Sequence, residues 1–329
     1  MEPGQDSVLN GKSVLVTGGT GSFGRRFIKI VLRDHAPRRV AVFSRDELKQ
    51  YEFQQDIGDD PRVRFFIGDV RDRERLSRAF DGVDIVVHAA ALKQVPAAEY
   101  NPFEAIKTNI HGAQNVIDAA LDRDVERVIA LSTDKASSPI NLYGATKLVS
   151  DKLFVAANAY SGTHPTRFSV VRYGNVVGSR GSVVPYFQRL APTGVIPITD
   201  ERMTRFWITL DQGVEFVIRM IGAMQGGELF VPRIPSMRLV DLATAVAPQA
   251  RIEIVGIRPG EKLHEEMIGV DDARRTRDAG DFYVMLPDVD WWDSTAWEHA
   301  KLVPPGFRYT SDANSQWLTV EDLRRMIDV

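Results

Sequence analysis

Tyr143 and Lys147 are the two residues of this 329-residue sequence whose types and spacing most clearly point to chemistry. They are four positions apart, so on a helix they lie on the same face. A free tyrosine has a pKa of about 10 and is a poor base at neutral pH. An adjacent ammonium favours the phenolate, so we expect the pKa of Tyr143 to be lowered. The pattern predicts a tyrosine that transfers protons, and Ser132 and Thr133 precede it at a predicted strand end.

A glycine-rich segment, Thr17–Gly24, follows the first predicted strand and opens a predicted helix. In such a segment Gly18 permits a tight turn, Gly21 lets the backbone approach a pyrophosphate, and Gly24 lets helix and strand pack closely. The helix N-terminus offers free N–H groups to phosphates. A structural turn is the alternative, but the strand-turn-helix context favours dinucleotide binding. The candidate cofactor residues here are Gly18, Thr20, Gly21, Ser22, Phe23 and Gly24.

A nicotinamide dinucleotide would complete this chemistry, because its cationic ring also favours a phenolate at Tyr143 and its ribose can be held by Lys147. About twenty residues after the glycines, an NAD enzyme usually places an acid against the ribose hydroxyls. Here the residues are Ser44, Arg45 and Asp46. Arg45 can bind a 2′-phosphate and Ser44 can donate to it, which favours NADP. Asp46 could instead face the ribose or cap the next helix, predicted over Glu47–Gln55.

Two further segments are predicted to contact the cofactor. Asp69 and Val70 follow the third predicted strand, where Asp69 could accept a hydrogen bond from the adenine amino group or simply start a helix. Ala89, Ala90 and Ala91 follow the fourth strand, and small side chains there allow the cofactor to contact the backbone. They would equally serve helix packing.

Residues from Lys12 to about Val176 alternate short β-branched runs with helical segments. Such alternation predicts an α/β fold, a doubly wound parallel Rossmann sheet covered on both faces. We expect an NADP-binding Rossmann domain over 1–175 and a smaller C-terminal substrate-binding lobe over most of 176–329, with some segments returning to the sheet. The predicted strands are Ser13–Val16, Val40–Phe43, Val63–Ile67, Ile85–Val87, Val128–Leu131 and Phe168–Arg172. The predicted helices include Arg25–Arg33, Arg71–Phe80, Phe103–Ala120 and Tyr143–Tyr160.

Composition narrows the class of protein. Hydrophobic residues make up 44% and charged residues 26%, as in ordinary globular proteins, and the net charge of −3 gives no basic field for nucleic acid. The chain has no cysteine, which suits a reducing compartment. The N-terminus lacks the pattern of a signal peptide, and no apolar run reaches membrane-spanning length. We therefore expect a cytoplasmic protein without membrane contact. The tryptophans at 291, 292, 297 and 317 are expected to pack rather than react.

The sequence resembles the extended short-chain dehydrogenases/reductases, and within that group it is similar to the soluble inverting UDP-N-acetylglucosamine 4,6-dehydratases. Membrane-bound relatives carry preceding transmembrane helices that are not found here, and several replace the tyrosine by methionine, whereas Tyr143 is present. The resemblance extends from about Lys12 to Glu265. The matching segments are Thr17–Gly24, Ser44–Lys49, Phe65–Val70, Ala89–Pro96, Ser132–Lys147, Arg172–Pro185, Arg202–Ile208 and Arg258–Glu265.

The resemblance implies a reaction that takes a hydride from C4 of the sugar, eliminates water across C5 and C6, and returns the hydride to C6. It would be the first step of pseudaminic acid synthesis. Tyr143 would remove the O4 proton while Thr133 holds that oxygen, and Asp134 would protonate the departing C6 hydroxyl. Lys135 is the candidate base for H5, which requires a lowered pKa. The donor that reprotonates C5 is left open between Tyr143 and water.

For the substrate, UDP-N-acetylglucosamine, the resemblance implies Asn175 at the carboxyl edge of the sheet, Arg205 and Arg258 at the diphosphate, and Glu261 at the uridine ribose. Lys93 lies near enough for a substrate role. No metal site is expected, because His88, His111 and His264 lack ligand spacing. Relatives associate through the two long helices, so we expect a homo-oligomer, a dimer or larger.

Two alternatives stay open. A nucleotide-sugar 4-epimerase would keep Tyr143 and Lys147 but would have no use for Asp134 and Lys135, which would then form a solvated turn. A non-catalytic NADP-sensing protein could share the fold. The intact tyrosine-lysine pair argues against the sensor.

Overall fold

The computed structural model describes residues 7–178, 182–289 and 292–327. The strands are β1 (Ser13–Thr17), β2 (Arg39–Ser44), β3 (Val63–Ile67), β4 (Ile85–His88), β5 (Arg127–Thr133), β6 (Arg167–Tyr173), β7 (Asn175–Val176), β8 (Val195–Ile198), β9 (Thr204–Ile208), β10 (Leu229–Pro232), β11 (Ser236–Arg238), β12 (Arg251–Ile254), β13 (Glu266–Ile268), β14 (Thr276–Asp278), β15 (Phe282–Met285), β16 (Lys301–Leu302) and β17 (Tyr309–Thr310). The α-helices are α1 (Ser22–Asp34), α2 (Glu47–Ile57), α3 (Arg73–Ala79), α4 (Val95–Tyr100), α5 (Pro102–Ile106), α6 (Gly112–Asp122), α7 (Leu142–Ala157), α8 (Val183–Leu190), α9 (Leu210–Ala223), α10 (Leu239–Val246) and α11 (Val320–Ile327).

A ten-stranded sheet forms the centre of the molecule, in the order β16-β14-β15-β10-β6-β5-β4-β1-β2-β3. Strands β1 to β6 and β10 run parallel, whereas β14, β15 and β16 pair antiparallel. The strand order reverses between β1 and β4, the place where ligands bind in doubly wound sheets. The predicted Rossmann-type α/β fold is therefore confirmed.

Both faces of the central strands of this sheet are buried, which explains why these strands are nearly continuous apolar runs. Leu15 of β1 belongs to one hydrophobic core, together with Val116 of α6 and Phe154 of α7. The neighbouring Val14 and Val16 point to the opposite face and pack in a second core with helices α1 and α9. The alternation along β1 thus places one layer of helices on each side.

The long predicted helix over Phe103–Ala120 is interrupted. Between α5 and α6 the chain forms a π-helical turn, Lys107–His111. Asn109 in this turn accepts from the backbone N–H of Leu92 at 2.8 Å and donates to its carbonyl at 2.9 Å and to Thr146 Oγ1 at 3.0 Å. The turn therefore ties the segment after Ala91 to helix α7, in keeping with the occurrence of π-turns at functional sites.

The C-terminal half contributes both to the main sheet and to a separate group of small sheets. Strands β10, β14, β15 and β16 extend the central sheet, while β11-β9-β7 and β12-β8 form smaller sheets beside it. A third hydrophobic core, with Trp207 fully buried, holds these elements to α8 and α10. No helix in the described ranges is long and apolar enough to cross a membrane.

The C-terminal tryptophans have structural contacts. Trp297 is buried against Phe230 and Phe282, and its Nε1 donates to buried Glu228 at 3.0 Å. Trp292 donates to the carbonyl of Gly226, and Trp317 to that of Asn314. Position 291 lies outside the described residues.

Candidate active site

A cavity of about 770 Å³ lies at the strand-order reversal, and every residue predicted to bind the cofactor lines it. Its wall includes the glycine-rich turn, where Gly18 has a φ of +65° and a Cβ would lie 2.9 Å from Ala90 N. Only glycine fits this approach, so the turn and the alanine segment meet closely. The predicted cofactor residues that line the cavity are Gly18, Thr20, Gly21, Ser22, Phe23, Gly24, Ser44, Arg45, Asp69, Val70, Ala89, Ala90, Ala91, Tyr143 and Lys147.

One end of this cavity is lined by Ser44, Arg45 and Asp69. Asp46 caps helix α2 by accepting from Lys49 N at 3.0 Å, the structural alternative that the sequence left open. Asp69 accepts from the Arg71 guanidinium at 2.7 Å, and Arg45 lies 3.6 Å from the same carboxylate. Asp69 is thus already paired with cations, while half of the Arg45 side chain is exposed and available to an anion.

Helix α7 presents Tyr143 and Lys147 to the other end of the cavity. Its N-cap is Asn141, whose side chain accepts from Gly144 N at 2.8 Å. One turn beyond Lys147, Asp151 accepts from Ser132 Oγ at 2.7 Å and lies 3.1 Å from the buried guanidinium of Arg172. This buried network fixes the helix against the end of β5, so the tyrosine is held in a set position beside Thr133.

The ionisation of Tyr143 differs from expectation. Burial raises the pKa of Tyr143 to about 12, and although the Lys135 ammonium and Thr133 lower it, Asp134 and Asp151 add to the increase. The adjacent ammonium alone therefore does not lower the pKa of Tyr143, and the predicted lowering depends on the charge of the nicotinamide ring. The physical reason is desolvation of the phenolate, which outweighs the nearby ammonium. For Lys147, burial lowers the pKa, opposed by Asp151.

Thr133, Asp134 and Lys135 lie side by side on the turn that follows β5. Thr133 Oγ1 donates to Asp134 Oδ1 at 2.8 Å, and Lys135 Nζ donates to the same oxygen at 3.1 Å. Burial raises the pKa of the Asp134 carboxyl, against the lowering effect of Lys135. The second oxygen of Asp134 has no hydrogen-bond partner among the described residues. Such a carboxyl is suited to hold and deliver a proton.

Lys135 does not have the lowered pKa that the sequence-based role requires. Burial alone would lower it, but the carboxylates of Asp134 and Glu265 raise the pKa of Lys135 well above its usual range. Glu265 Oε1 lies 3.1 Å from Lys135 Nζ. The carboxylate of Glu265, 130 positions away in the sequence, therefore raises the pKa of Lys135, and the local sequence around Lys135 gives no sign of this contact.

Glu265 also contacts the site, although the sequence did not indicate a role for it. It is 2% exposed, and besides Lys135 it faces the guanidinium of Arg205 at 3.7 Å. It ended the last matching segment of the resemblance, but nothing in the local pattern distinguished it from the adjacent Glu266.

A second cavity of about 800 Å³ adjoins the first, and Lys135, Asn175 and Glu261 line both. Arg258 lines its outer part and is exposed, and its backbone N–H donates to Glu261 Oε2 at 3.3 Å. The loop is fixed to the catalytic helix, because Asn141 donates to the carbonyl of Gly260 at 2.8 Å. The cavity therefore runs from the reacting groups to a loop carrying one arginine and one carboxylate.

The other predicted substrate residues are placed around the two cavities. Arg205 is buried and donates to the carbonyls of Thr204, Lys262 and Leu263, so most of its hydrogen-bonding capacity is used within the fold. Asn175 begins the short strand β7 rather than ending β6, and its Oδ1 is buried with no partner among the described residues. Lys93 lines the first cavity.

Together these groups combine three chemical functions in one place. The glycine turn and the N-terminus of α1 offer backbone N–H groups that can bind phosphates, Tyr143 and Lys147 can transfer protons, and Asp134 with Lys135 adds a carboxyl and an amine. Within the described part of the chain, no group of His, Asp or Glu side chains is arranged to hold a metal ion.

Comparisons with known proteins agree with this geometry. Residues 14–287 match the family described as polysaccharide biosynthesis protein. The UDP-N-acetylglucosamine 4,6-dehydratase (inverting) of Campylobacter jejuni subsp. jejuni serotype O:23/36 is 54% identical, with 98% of each chain covered. The UDP-glucose 4-epimerase of Rickettsia canadensis is 37% identical, with 96% of this chain and 95% of the epimerase covered.

Solved structures show the same fold. Pen from Bacillus thuringiensis superposes with a TM-score of 0.88 at 37% identity, covering 97% of this chain and 98% of that chain. DesIV, a dTDP-glucose 4,6-dehydratase from Streptomyces venezuelae with NAD bound, has a TM-score of 0.69 at 26% identity, covering 76% of this chain and 86% of that chain. The chain is thus a member of the polysaccharide biosynthesis protein family of extended short-chain dehydrogenases/reductases, and it resembles the inverting UDP-N-acetylglucosamine 4,6-dehydratases.

Proposed function

We propose that this protein is an NADP-dependent UDP-N-acetylglucosamine 4,6-dehydratase that inverts C5. The observation that carries the proposal is the direct contact of Asp134 with Lys135 on the turn beside Tyr143. A dehydratase needs an acid at the C6 hydroxyl and a base at H5 in addition to the tyrosine, whereas oxidation at C4 alone needs only the tyrosine as a base. The 54% identical relative of that name, matched over nearly its full length, supports the same substrate and outcome.

The order of events follows from the acidity of the sugar. H5 is not acidic until C4 is a ketone, because only then can the resulting carbanion delocalise onto oxygen. A nicotinamide cofactor held by the glycine turn, Tyr143 and Lys147 would supply a hydride acceptor for C4 and a hydride donor for C6, so the whole reaction would be redox-neutral. Four proton transfers therefore remain: removal from O4, removal from C5, delivery to the departing C6 hydroxyl, and return of a proton to the opposite face of C5.

Three of these transfers have a candidate group, and the proton that returns to C5 comes from Tyr143 or from water. Tyr143 accepts the O4 proton, helped by the charge of the bound nicotinamide ring, while Thr133 holds that oxygen. Asp134, whose pKa is raised by burial, carries the proton that leaves with the C6 hydroxyl as water. Lys135 takes H5 once it has lost its own proton. Well-placed acids and bases of this kind contribute about 10²–10⁴ each in rate.

The preference for NADP over NAD rests on the residues at one end of the first cavity. The exposed guanidinium of Arg45 and the hydroxyl of Ser44 line the end of the first cavity, and Asp46 is used as a helix cap. A 2′-phosphate would therefore meet a cation rather than a free carboxylate. DesIV is a relative with NAD bound, so the choice between the two cofactors needs a binding measurement.

For the nucleotide, we propose that Arg258 contacts the diphosphate and Glu261 the ribose hydroxyls, since both line the second cavity on the loop fixed by Asn141. Asn175, Lys93 and Arg205 complete the proposed substrate site. Asn175 offers a buried oxygen without a partner among the described residues, which a substrate hydroxyl or amide could satisfy.

We also propose that the enzyme is a cytoplasmic homo-oligomer serving glycan synthesis, with pseudaminic acid as the product of its pathway. Four apolar side chains on α4, α5 and the segment around α7 support self-association, because they are 41–86% exposed. They are Tyr100, Phe103, Val149 and Tyr160. Light scattering of the wild type and of Phe103→Glu would test whether this surface forms the interface.

A 4-epimerase is the second candidate, favoured by the 37% identical UDP-glucose 4-epimerase. It would use Tyr143 and Lys147 alone. Incubation of the purified protein with UDP-N-acetylglucosamine and NMR of the product separates the two: a 4-keto-6-deoxy sugar supports the dehydratase, and a 6-hydroxylated sugar inverted at C4 supports the epimerase.

A further inference from the structure

Glu265 is a buried carboxylate with no role in the chemistry described so far. Its side chain is 2% exposed, Oε1 contacts Lys135 Nζ at 3.1 Å, and Oε2 has no hydrogen-bond partner among the described residues. Burying a carboxylate in this way is costly unless a cation or a hydrogen bond compensates for it. Two cations compensate for it, Lys135 at 3.1 Å and the guanidinium of Arg205 at 3.7 Å, and the shorter contact is the one with Lys135.

Lys135 Nζ lies between two carboxylates. Asp134 Oδ1 and Glu265 Oε1 are each 3.1 Å from it, one from the same turn and one from the segment before β13. An ammonium has three N–H donors, so two carboxylates fix the direction of the third. Glu265 thus restricts Lys135 to one position beside Asp134. Lys135 and Glu265 both line the second cavity, where the substrate is proposed to bind.

Glu265 is itself held from its backbone. Its N–H donates to Ser311 Oγ at 2.9 Å, and its carbonyl accepts from Ser311 N at 2.8 Å. Ser311 Oγ is also 2.7 Å from the hydroxyl of Thr204 on β9. The carboxylate is therefore anchored by a network separate from the catalytic turn.

We propose that Glu265 is a positioning residue, which holds the Lys135 amine beside Asp134 and sets how readily that amine gives up its proton. The inference rests on the proposed function, in which Lys135 removes H5. Four further groups face this pair: Asp134 adds negative charge, the guanidinium of Arg205 and the ammonium of Lys262 add positive charge, and Tyr143 lies across the turn. Removing the charge of Glu265 leaves Lys135 with one carboxylate instead of two.

The test is the pH profile of turnover with UDP-N-acetylglucosamine deuterated at C5, which slows removal of H5 so that this step limits the rate. In the wild type we expect a rate that rises with pH by about tenfold per unit as Lys135 loses its proton. In Glu265→Gln the same rise should come at lower pH by about one unit or more, because Lys135 then faces one carboxylate instead of two. Glu265→Asp, which keeps the charge farther away, should lie between them.

Glu266→Gln is the matched control. Glu266 is the adjacent buried carboxylate, but it accepts from Ser137 and Ser138 and pairs with Arg308 instead of Lys135. Its loss should lower the rate by the same factor at every pH. Thermal unfolding and binding of UDP to each variant show that it is folded.

Several results would overturn the inference. A Glu265→Gln profile that rises over the same pH range as the wild type, or that stays below the wild-type rate at every pH, would make Glu265 purely structural. If Glu265→Gln does not fold, the same result for Glu265→Asp would have the same meaning. A wild-type rate independent of pH would also contradict it. A wild type that forms no 4-keto-6-deoxy sugar at any pH would instead disprove the proposed function, and the inference with it.

Discussion

Gly144 packs directly on the carbonyl oxygen of Lys135, so closely that a Cβ at Gly144 would lie 2.1 Å from that oxygen. The contact joins the helix that carries Tyr143 to the turn that carries Asp134 and Lys135. The absence of a side chain at Gly144 thus lets Tyr143 lie close to Asp134 and Lys135, the groups proposed for elimination.

Gly144→Ala should therefore damage the enzyme. The methyl group would force the turn away from α7, which we expect to cost about 1–3 kcal/mol of folding free energy and most of the turnover. Thermal unfolding and kcat measure the two effects. Gly213 of α9 is the control, because its Cβ would meet nothing within 4 Å. Gly213→Ala should be neutral or stabilise the fold by up to about 1 kcal/mol. Equal, small effects at both glycines would show that the contact does not matter.

Arg45→Ala tests the choice of cofactor. The variant should weaken NADP binding by about 1.5–3 kcal/mol, the range for a charged hydrogen bond, and leave NAD binding nearly unchanged. Dissociation constants for both cofactors measure this. Arg73, which pairs with Asp118 and Asp122 and does not line the cavity, supplies the control as Arg73→Ala. Equal losses for NADP and NAD in Arg45→Ala would indicate a structural role.

Arg258→Ala and Glu261→Ala test the nucleotide site. Both residues are proposed to bind the nucleotide rather than the reacting carbons, so their loss should raise the KM for the UDP-sugar more than it lowers kcat. Arg251→Ala, an exposed arginine of β12 outside both cavities, should change neither constant. A collapse of kcat with unchanged KM would contradict the assignment.

How far the sequence predicted this site depends on the distance between the residues. Tyr143 and Lys147 were predictable because helical spacing is local, and the cofactor turn because its glycines follow a strand. The pairing of Lys135 with Glu265 was not, since it spans 130 residues and requires knowledge of the tertiary fold. The same distance explains the wrong expectation for the pKa of Lys135: the sequence gives no sign of which charge will lie beside a buried amine.

The central sheet was predictable for a related reason: a strand buried on both faces is an apolar run wherever it occurs. The interruption of the helix at Lys107–His111 was not, because it depends on the contacts of Asn109 with Leu92 and Thr146. Helix α3 also begins at Arg73 rather than at the predicted Arg71, because Asp72 caps it through Arg75 N at 2.9 Å.

Asp134→Asn and Lys135→Ala should separate the steps of elimination. Without the acid, Asp134→Asn should still reduce the cofactor and exchange H5 for solvent deuterium, yet form little product. Without the base, Lys135→Ala should lose both exchange and product. Cofactor absorbance, NMR of C5 and product yield measure the three steps. Full product formation by either variant would mean that the residue takes no part in the elimination.

The fate of the hydride from C4 distinguishes a 4,6-dehydratase from a 4-epimerase. Wild-type enzyme given UDP-N-acetylglucosamine deuterated at C4 should form a 4-keto-6-deoxy sugar with that deuterium on C6, because the hydride stays on the enzyme between the two steps. In heavy water, unlabelled substrate should gain solvent deuterium at C5. NMR of the product determines both positions. A product that still carries its C6 hydroxyl and is inverted at C4 would contradict the dehydratase and make the protein an epimerase.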